Sequence, residues 1–290
     1  MSFDVALTPP HRAQAVEWLH HWHSDAGEPT LSLARLEQGY LLRFPWLADF
    51  VLDDQGRRAQ VWPQPGVSRD TVRHLLLDQV LPHALAQQGR LVLHAAAALV
   101  GEWAVAWVGP TGAGKSTLAA SFHLAGCPLL SDDGLLLNVT VQRAEVTAVG
   151  TYAGLRLWPQ SLEGLFETPP PSVALESYST KRRLLLRPQQ QSASPPQAKP
   201  LAAVFVLAAS EQEATVQATR ISACEGCMAL VSNAFLLDVA DRRRSVALLD
   251  AAAACAERVP IFRLSYPRRF SALPQVHTAI LDALCTIKPR

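Results

Sequence analysis

Residues Gly109, Pro110, Thr111, Gly112, Ala113, Gly114, Lys115 and Ser116 match the pattern G-x-x-x-x-G-K-[ST] at every fixed position. A polyphosphate crowds several negative charges together, and whatever holds it must leave the reacting phosphorus open. Glycines let the backbone wrap closely, so that its N–H groups point at phosphate oxygens. The helix expected after the loop adds its positive end to the same cradle. In this pattern the Lys115 ammonium reaches the β and γ phosphates, and the Ser116 hydroxyl is placed to ligate Mg²⁺. Thr117 extends the nucleotide-contacting run, so ATP and Mg²⁺ are the expected ligands.

About 16 residues further on stands Ser131-Asp132-Asp133-Gly134, after the apolar Pro128-Leu129-Leu130. In P-loop enzymes a carboxylate at a strand end completes the Mg²⁺ site. Two adjacent carboxylates allow one to hold metal while the other takes a proton from an attacking hydroxyl. A plain Asp-Gly turn would have the same spelling. The position one helix-length beyond the phosphate loop favours the catalytic reading. His94, in Leu91-Val-Leu-His-Ala-Ala, is expected on an apolar strand beside the loop strand, where a lone histidine more often belongs to the core.

These groups need a strand, the loop and a helix in that order, and the flanking sequence supplies them. Residues 90–100 and 103–108 read as two strands joined by a tight turn, and His94, Gly101 and Glu102 interrupt the run too often for a membrane span. Residues 68–88 repeat apolar side chains at helical spacing up to Gly89. Strands are expected at 40–52 and 58–62, around an Asp53-Asp54-Gln55-Gly56 turn. His11, His20, His21 and His23 lie near Trp18 and Trp22 and read as the surface of an amphipathic helix, with no ligand geometry for a metal. Beyond the loop, strands are expected at 127–130, 134–139, 201–208 and 261–265, and helices at 224–237, 245–258 and 273–285. Residues 188–200, PQQQSASPPQAKP, read as a linker. The expected organisation is a strand-rich accessory region, 1–66, and a catalytic domain, 67–290.

The 290 residues are 49% hydrophobic and 18% charged, which is ample material for a globular core. A net charge of +1 provides no global field to attract nucleic acid or an acidic membrane, so neither is an expected partner. Met1-Ser-Phe-Asp lacks the basic start and apolar run of a signal peptide, and a cytoplasmic location is expected. Five cysteines at irregular spacing do not form a disulfide framework; Cys224 and Cys227 are expected on one helix face.

A Leu-His-Ala strand at His94, a hairpin into the phosphate loop and a helix leading to Ser131-Asp132-Asp133 together resemble the HPr kinase/phosphorylase family and its shorter bacterial relatives. The resemblance is good over residues 91–139. It is weaker at Gly154-Leu-Arg-Leu-Trp-Pro159, at Lys181-Arg182-Arg183 and at Gln79-Val-Leu-Pro82. It implies an α/β fold with a P-loop core of the HPr kinase and phosphoenolpyruvate carboxykinase type, with a mixed sheet and flanking helices. It implies an ATP-dependent kinase whose acceptor is a hydroxyl, a serine of a peptide or protein. Ribosomal peptide precursors such as those of lasso peptides are one acceptor class among the shorter relatives.

Carried onto this chain, the resemblance implies that Lys115 and the 109–114 amides bind the phosphates and that Ser116 serves Mg²⁺. Asp132 or Asp133 acts as base and the other faces the metal; Asp132 is favoured as base, leaving Asp133 to the metal. His94 orients or shares the proton of this pair. Arg156 and Lys181 steady charge on the transferring phosphoryl group. The family's arginine-glycine-leucine-glycine run is not evident after Asp133, and Thr117 replaces its usual acidic residue, so the HPr carrier is not the expected acceptor. A P-loop ATPase or nucleotide-gated regulator without a separate acceptor is the alternative. The identity of the acceptor, and the choice between monomer and homo-oligomer, stay open.

Overall fold

The computed structural model describes residues 4–7, 17–23, 27–140, 145–151, 154–174, 181–184, 197–210 and 215–287. The chain packs into two compact units, 1–90 with 235–245, and 91–234 with 246–290. The expected break at residue 66 falls inside the first. Gln87 Nε2 donates to the Asp54 carbonyl at 3.0 Å and Gln88 bonds to that of Gly56, which ties the helical stretch to the turn of the N-terminal sheet.

The first unit holds one six-stranded sheet. It comprises β1 (Asp4–Leu7), β2 (Trp18–His23), β3 (Pro29–Leu36), β4 (Gly39–Phe44), β5 (Ala48–Leu52) and β6 (Arg58–Pro63), in the order β1-β6-β5-β4-β3-β2. Alternate side chains such as Tyr40, Leu42, Phe50 and Leu52 fill its core. The histidines near Trp18 and Trp22 lie on a strand and not on the expected helix. β2 pairs antiparallel with β3, and His21 Nδ1 lies 2.8 Å from the Ser32 hydroxyl, so cross-strand pairing overrides a pattern ambiguous between the two periods. His11 lies outside the described residues. The stretch expected as one helix runs as α1 (Arg69–Leu75), a π segment over Leu76–Val80, and α2 (Leu81–Gln87); the Ser68 hydroxyl caps it by accepting from the Thr71 N–H.

The second unit is built on a mixed sheet. β7 (Leu91–Leu93), β8 (Ala95–Val100), β9 (Trp103–Val108), β10 (Leu129–Ser131), β11 (Leu135–Asn138) and β12 (Thr147–Gly150) join the long β16 (Lys199–Ser210) in the order β10-β8-β9-β16-β12-β11-β7. β16 runs parallel to β9 and to β18 (Ile261–Pro267), and β17 (Gln217–Arg220) pairs with β18. A separate small sheet orders β13 (Arg156–Leu157), β15 (Arg182–Leu184) and β14 (Ser172–Ala174). The architecture is therefore mixed α/β with several sheets. Of the expected linker, residues 188–196 lie outside the described residues, and β16 opens at Lys199.

Period-2 alternation sorts the central strands onto two buried faces. Ala96, Val105, Trp107, Phe205 and Leu264 face α3 (Lys115–Leu124) and α7 (Leu273–Cys285). Ala95, Ala104, Ala106 and Val204 face α5 (Ala223–Ser232) and α6 (Arg242–Arg258), through Leu230 and Cys255. α5 stops five residues before the expected 237, where Asn233 caps it and Ala234 bridges to Leu93. It carries both Cys224, exposed, and Cys227, buried. On the first face, Leu118 and Phe122 anchor α3 beneath Trp107, each burial contributing on the order of 2 kcal/mol. Among the described residues no helix is long and apolar enough to cross a membrane.

Candidate functional site

β9 ends at Val108 and α3 starts at Lys115, so the glycine-rich loop spans strand and helix directly. Gly114 is the N-cap of α3 at φ +98°, a left-handed conformation that side chains resist, and a Cβ there would lie 3.2 Å from the Tyr266 hydroxyl. The Lys115 Nζ folds over the loop and donates to the carbonyls of Gly109 at 2.7 Å and Pro110 at 3.1 Å. Burial, with Lys181 nearby, pulls its pKa down to about 8, against the opposing pull of Asp132.

β10 delivers the acidic turn. Asp132 is fully buried, with one carboxylate oxygen accepting from the Ser116 hydroxyl at 2.8 Å and the other from the Arg156 N–H at 3.0 Å. Its desolvation raises the pKa, opposed by the Arg156 charge and these two hydrogen bonds. Asp133 takes the left-handed φ of +74° that turns its side chain away from its neighbour's. It forms an ion pair with the Arg156 guanidinium through one oxygen, while the other lies 3.9 Å from His94 Nε2.

His94 does not continue a strand as expected. It sits at the bend between β7, which pairs with β11, and β8, which pairs with β9 and β10. The change of partners forces the break, and the His94 N–H finds an alternative acceptor in the Asn233 carbonyl at 2.7 Å. The Asn233 side chain also accepts from the Gly109 N–H at 2.9 Å, which locks the start of the loop to the same point.

A cavity of about 540 Å³ collects these groups. Thr111 to Thr117 line it, together with His94, Asp133 and Lys181. Asp132 and Arg156 are not among its lining residues. The two acids are thus placed differently, Asp133 at the cavity and Asp132 behind it. Asp132 is spent on Ser116 and on the backbone, and Asp133, itself 6% exposed, is the carboxylate that lines the cavity. Arg156 is only 4% exposed and its guanidinium is paired with Asp133. Lys181 does line the cavity, its ammonium 5.4 Å from the Trp158 ring centroid.

No protein-family model and no curated protein matches this chain. Among solved structures, it is similar to the Hpr(Ser) kinase/phosphatase from Coxiella burnetii, with 8% identity and a TM-score of 0.36, over 68% of this chain and 99% of that one. At that level the likeness has no weight for chemistry, which rests on the geometry above.

The cavity lining also includes residues not expected at the site. Tyr266, at the end of β18, has its hydroxyl 3.3 Å from the Ala113 carbonyl, and Arg268 donates to that of Gly112 at 2.9 Å. Burial pushes the Tyr266 phenol up to about 12, so it remains a donor. Trp158, Gln160 and Ser161 come from the start of α4 (Pro159–Leu165), and Phe270 from the 3₁₀ turn before α7. The sequence signal for Tyr266 to Phe270 is an aromatic and basic cluster after a strand pattern.

Proposed function

We propose that this protein is a kinase that moves the γ-phosphoryl group of ATP to a hydroxyl, a serine of a peptide or protein. One observation carries the proposal. One cavity is lined both by the glycine-rich loop with Lys115 and by a carboxylate, Asp133, that is steadied by a buried arginine.

The Ser116 hydroxyl, which lines the cavity and is held by Asp132 at 2.8 Å, is a hard oxygen donor of the kind Mg²⁺ takes and would hold that ion together with phosphate oxygens. A metal ion held by Ser116 would supply neutralisation of phosphate charge. The rest is work for the chain's own groups. Loop amides hold the phosphates in line, and Lys115 leaves the carbonyls of Gly109 and Pro110 for the phosphate oxygens. Asp133 accepts the proton of the attacking hydroxyl, and Arg156 and His94 fix its orientation. Lys181 balances negative charge on the transferring group. In this reading Asp133, and not the favoured Asp132, is the base, and Asp132 holds the Ser116 hydroxyl in place for the metal.

The test is mass spectrometry of serine-containing peptides incubated with the protein and Mg²⁺-ATP. The proposal expects a gain of one phosphoryl group on the peptide, abolished by Asp133→Asn. ATP hydrolysis at an unchanged rate with no labelled acceptor would point to an ATPase or a nucleotide-gated regulator and sink the kinase reading.

A further inference from the structure

Beyond the phosphate wall, the cavity extends past Thr117 to a surface made by α4 and the turn 270–272. The direction matters for a bound nucleotide. In this loop pattern Lys115 reaches the β and γ phosphates while the loop amides cradle the α and β phosphates. A nucleoside that leaves the loop past Ser116 and Thr117 meets α4. There the Thr117 hydroxyl lies 3.0 Å from that of Ser161, which joins α3 to α4.

One helical turn beyond Ser161 is Gly164, and Phe270 rests against it. A Cβ at Gly164 would sit 2.3 Å from Cε2 and 2.4 Å from Cδ2 of the Phe270 ring, so only glycine lets the ring settle there. Although seated on the helix, Phe270 remains 39% exposed and lines the cavity. Trp158 is the other half-exposed ring, but it lies at the Lys181 end and already carries that ammonium.

We propose that Phe270, held in place by Gly164, is the platform on which the nucleobase stacks. This inference rests on the nucleotide reading above and adds to it the part of the ligand that the phosphate loop cannot recognise. An aromatic ring fixed at one side and open at the other offers a π-face at little entropic cost, and base stacking tolerates different bases.

The experiment is calorimetry with Mg²⁺-ATP and Mg²⁺-tripolyphosphate, which carries the phosphates without a base. The wild type is expected to bind ATP more tightly than tripolyphosphate. Phe270→Ala weakens ATP roughly five- to 150-fold and leaves tripolyphosphate unchanged, while Phe270→Trp retains most of the ATP affinity. Gly164→Ala, which evicts the ring from its seat, produces the same selective loss. Equal wild-type affinity for the two ligands overturns the platform and leaves the phosphate cradle standing. Parallel weakening of both ligands in Phe270→Ala also overturns it, since the ring would then serve the fold. Binding of neither ligand by the wild type overturns the nucleotide reading and the platform with it.

Discussion

Both units of this protein bury titratable side chains, but they do so under different conditions. In the unit of residues 1–90 with 235–245, His83 is enclosed by aromatic neighbours, its ring centroid 5.1 Å from that of Phe235 and 6.5 Å from that of Trp22. Burial alone drives its pKa down to about 4, so it behaves as a neutral core ring. In the other unit Lys115, Asp132, Asp133 and Arg156 are buried against one another around the 540 Å³ cavity. Burying charge is costly unless a partner compensates it. In the first case the histidine gives up its charge; in the second the charges are kept and partly turned toward a space that an ionic ligand can enter. Burial becomes a functional signal when the buried groups converge on such a space.

The comparison breaks first at the cavity. Lys115→Met and Asp133→Asn should each lower phosphoryl transfer roughly 10²- to 10⁴-fold in steady-state assays, with the aspartate variant still binding ATP by calorimetry. Loss of ATP binding in Asp133→Asn would move that residue to the metal. Arg156→Met leaves two buried carboxylates without their cation and should cost about 3–5 kcal/mol in urea unfolding. Asp133→Asn in the same chain should recover part of the loss. An unchanged unfolding midpoint would mean that Arg156 is not holding the acids.

In the first unit the expected effect is on stability alone. The folded pKa of His83 lies near 4, below its ordinary 6.5, so the unfolded chain binds more protons between those values. The stability is complete above pH 6.5 and is lost as the pH falls toward 4, on the order of 3 kcal/mol in all. His83→Phe should flatten that acid dependence in urea titrations at pH 7 and 4.5 while phosphoryl transfer stays constant. The smallest effect is the proton balance of Lys115. With a pKa of about 8 in the free protein, it is largely neutral at pH 8.5 and must regain its proton to meet phosphate. Calorimetry in buffers of different ionisation enthalpy should record uptake of roughly half a proton or more on ATP binding, absent in Lys115→Met.

Sequence reasoning reached the parts of the site in which neighbours along the chain are neighbours in space. The loop between β9 and α3 and the Ser131-Asp132-Asp133 turn fall in this class, because backbone conformation alone assembles them. The bend at His94 was hidden because Leu-Val-Leu-His-Ala-Ala is apolar on both sides, and nothing local marks where β7 changes partners. The wall from Tyr266 to Phe270 was out of reach for a different reason. It comes beside the loop only through the parallel register of β16 with β9 and β18, a long-range fact with no trace in spacing. The choice between the two acids was equally closed to the sequence, since adjacent identical residues differ only in where the backbone turns them.

That turn has a practical consequence for mutagenesis. A residue with φ at +74° tolerates asparagine and glycine, whereas alanine or a β-branched replacement strains the chain before any chemistry is removed. An alanine scan would charge that distortion to the carboxylate and overstate what the acid does. A saturation library at position 133 separates the two costs. Screened for expression, it should return asparagine and glycine beside aspartate; screened for turnover, it should return aspartate alone.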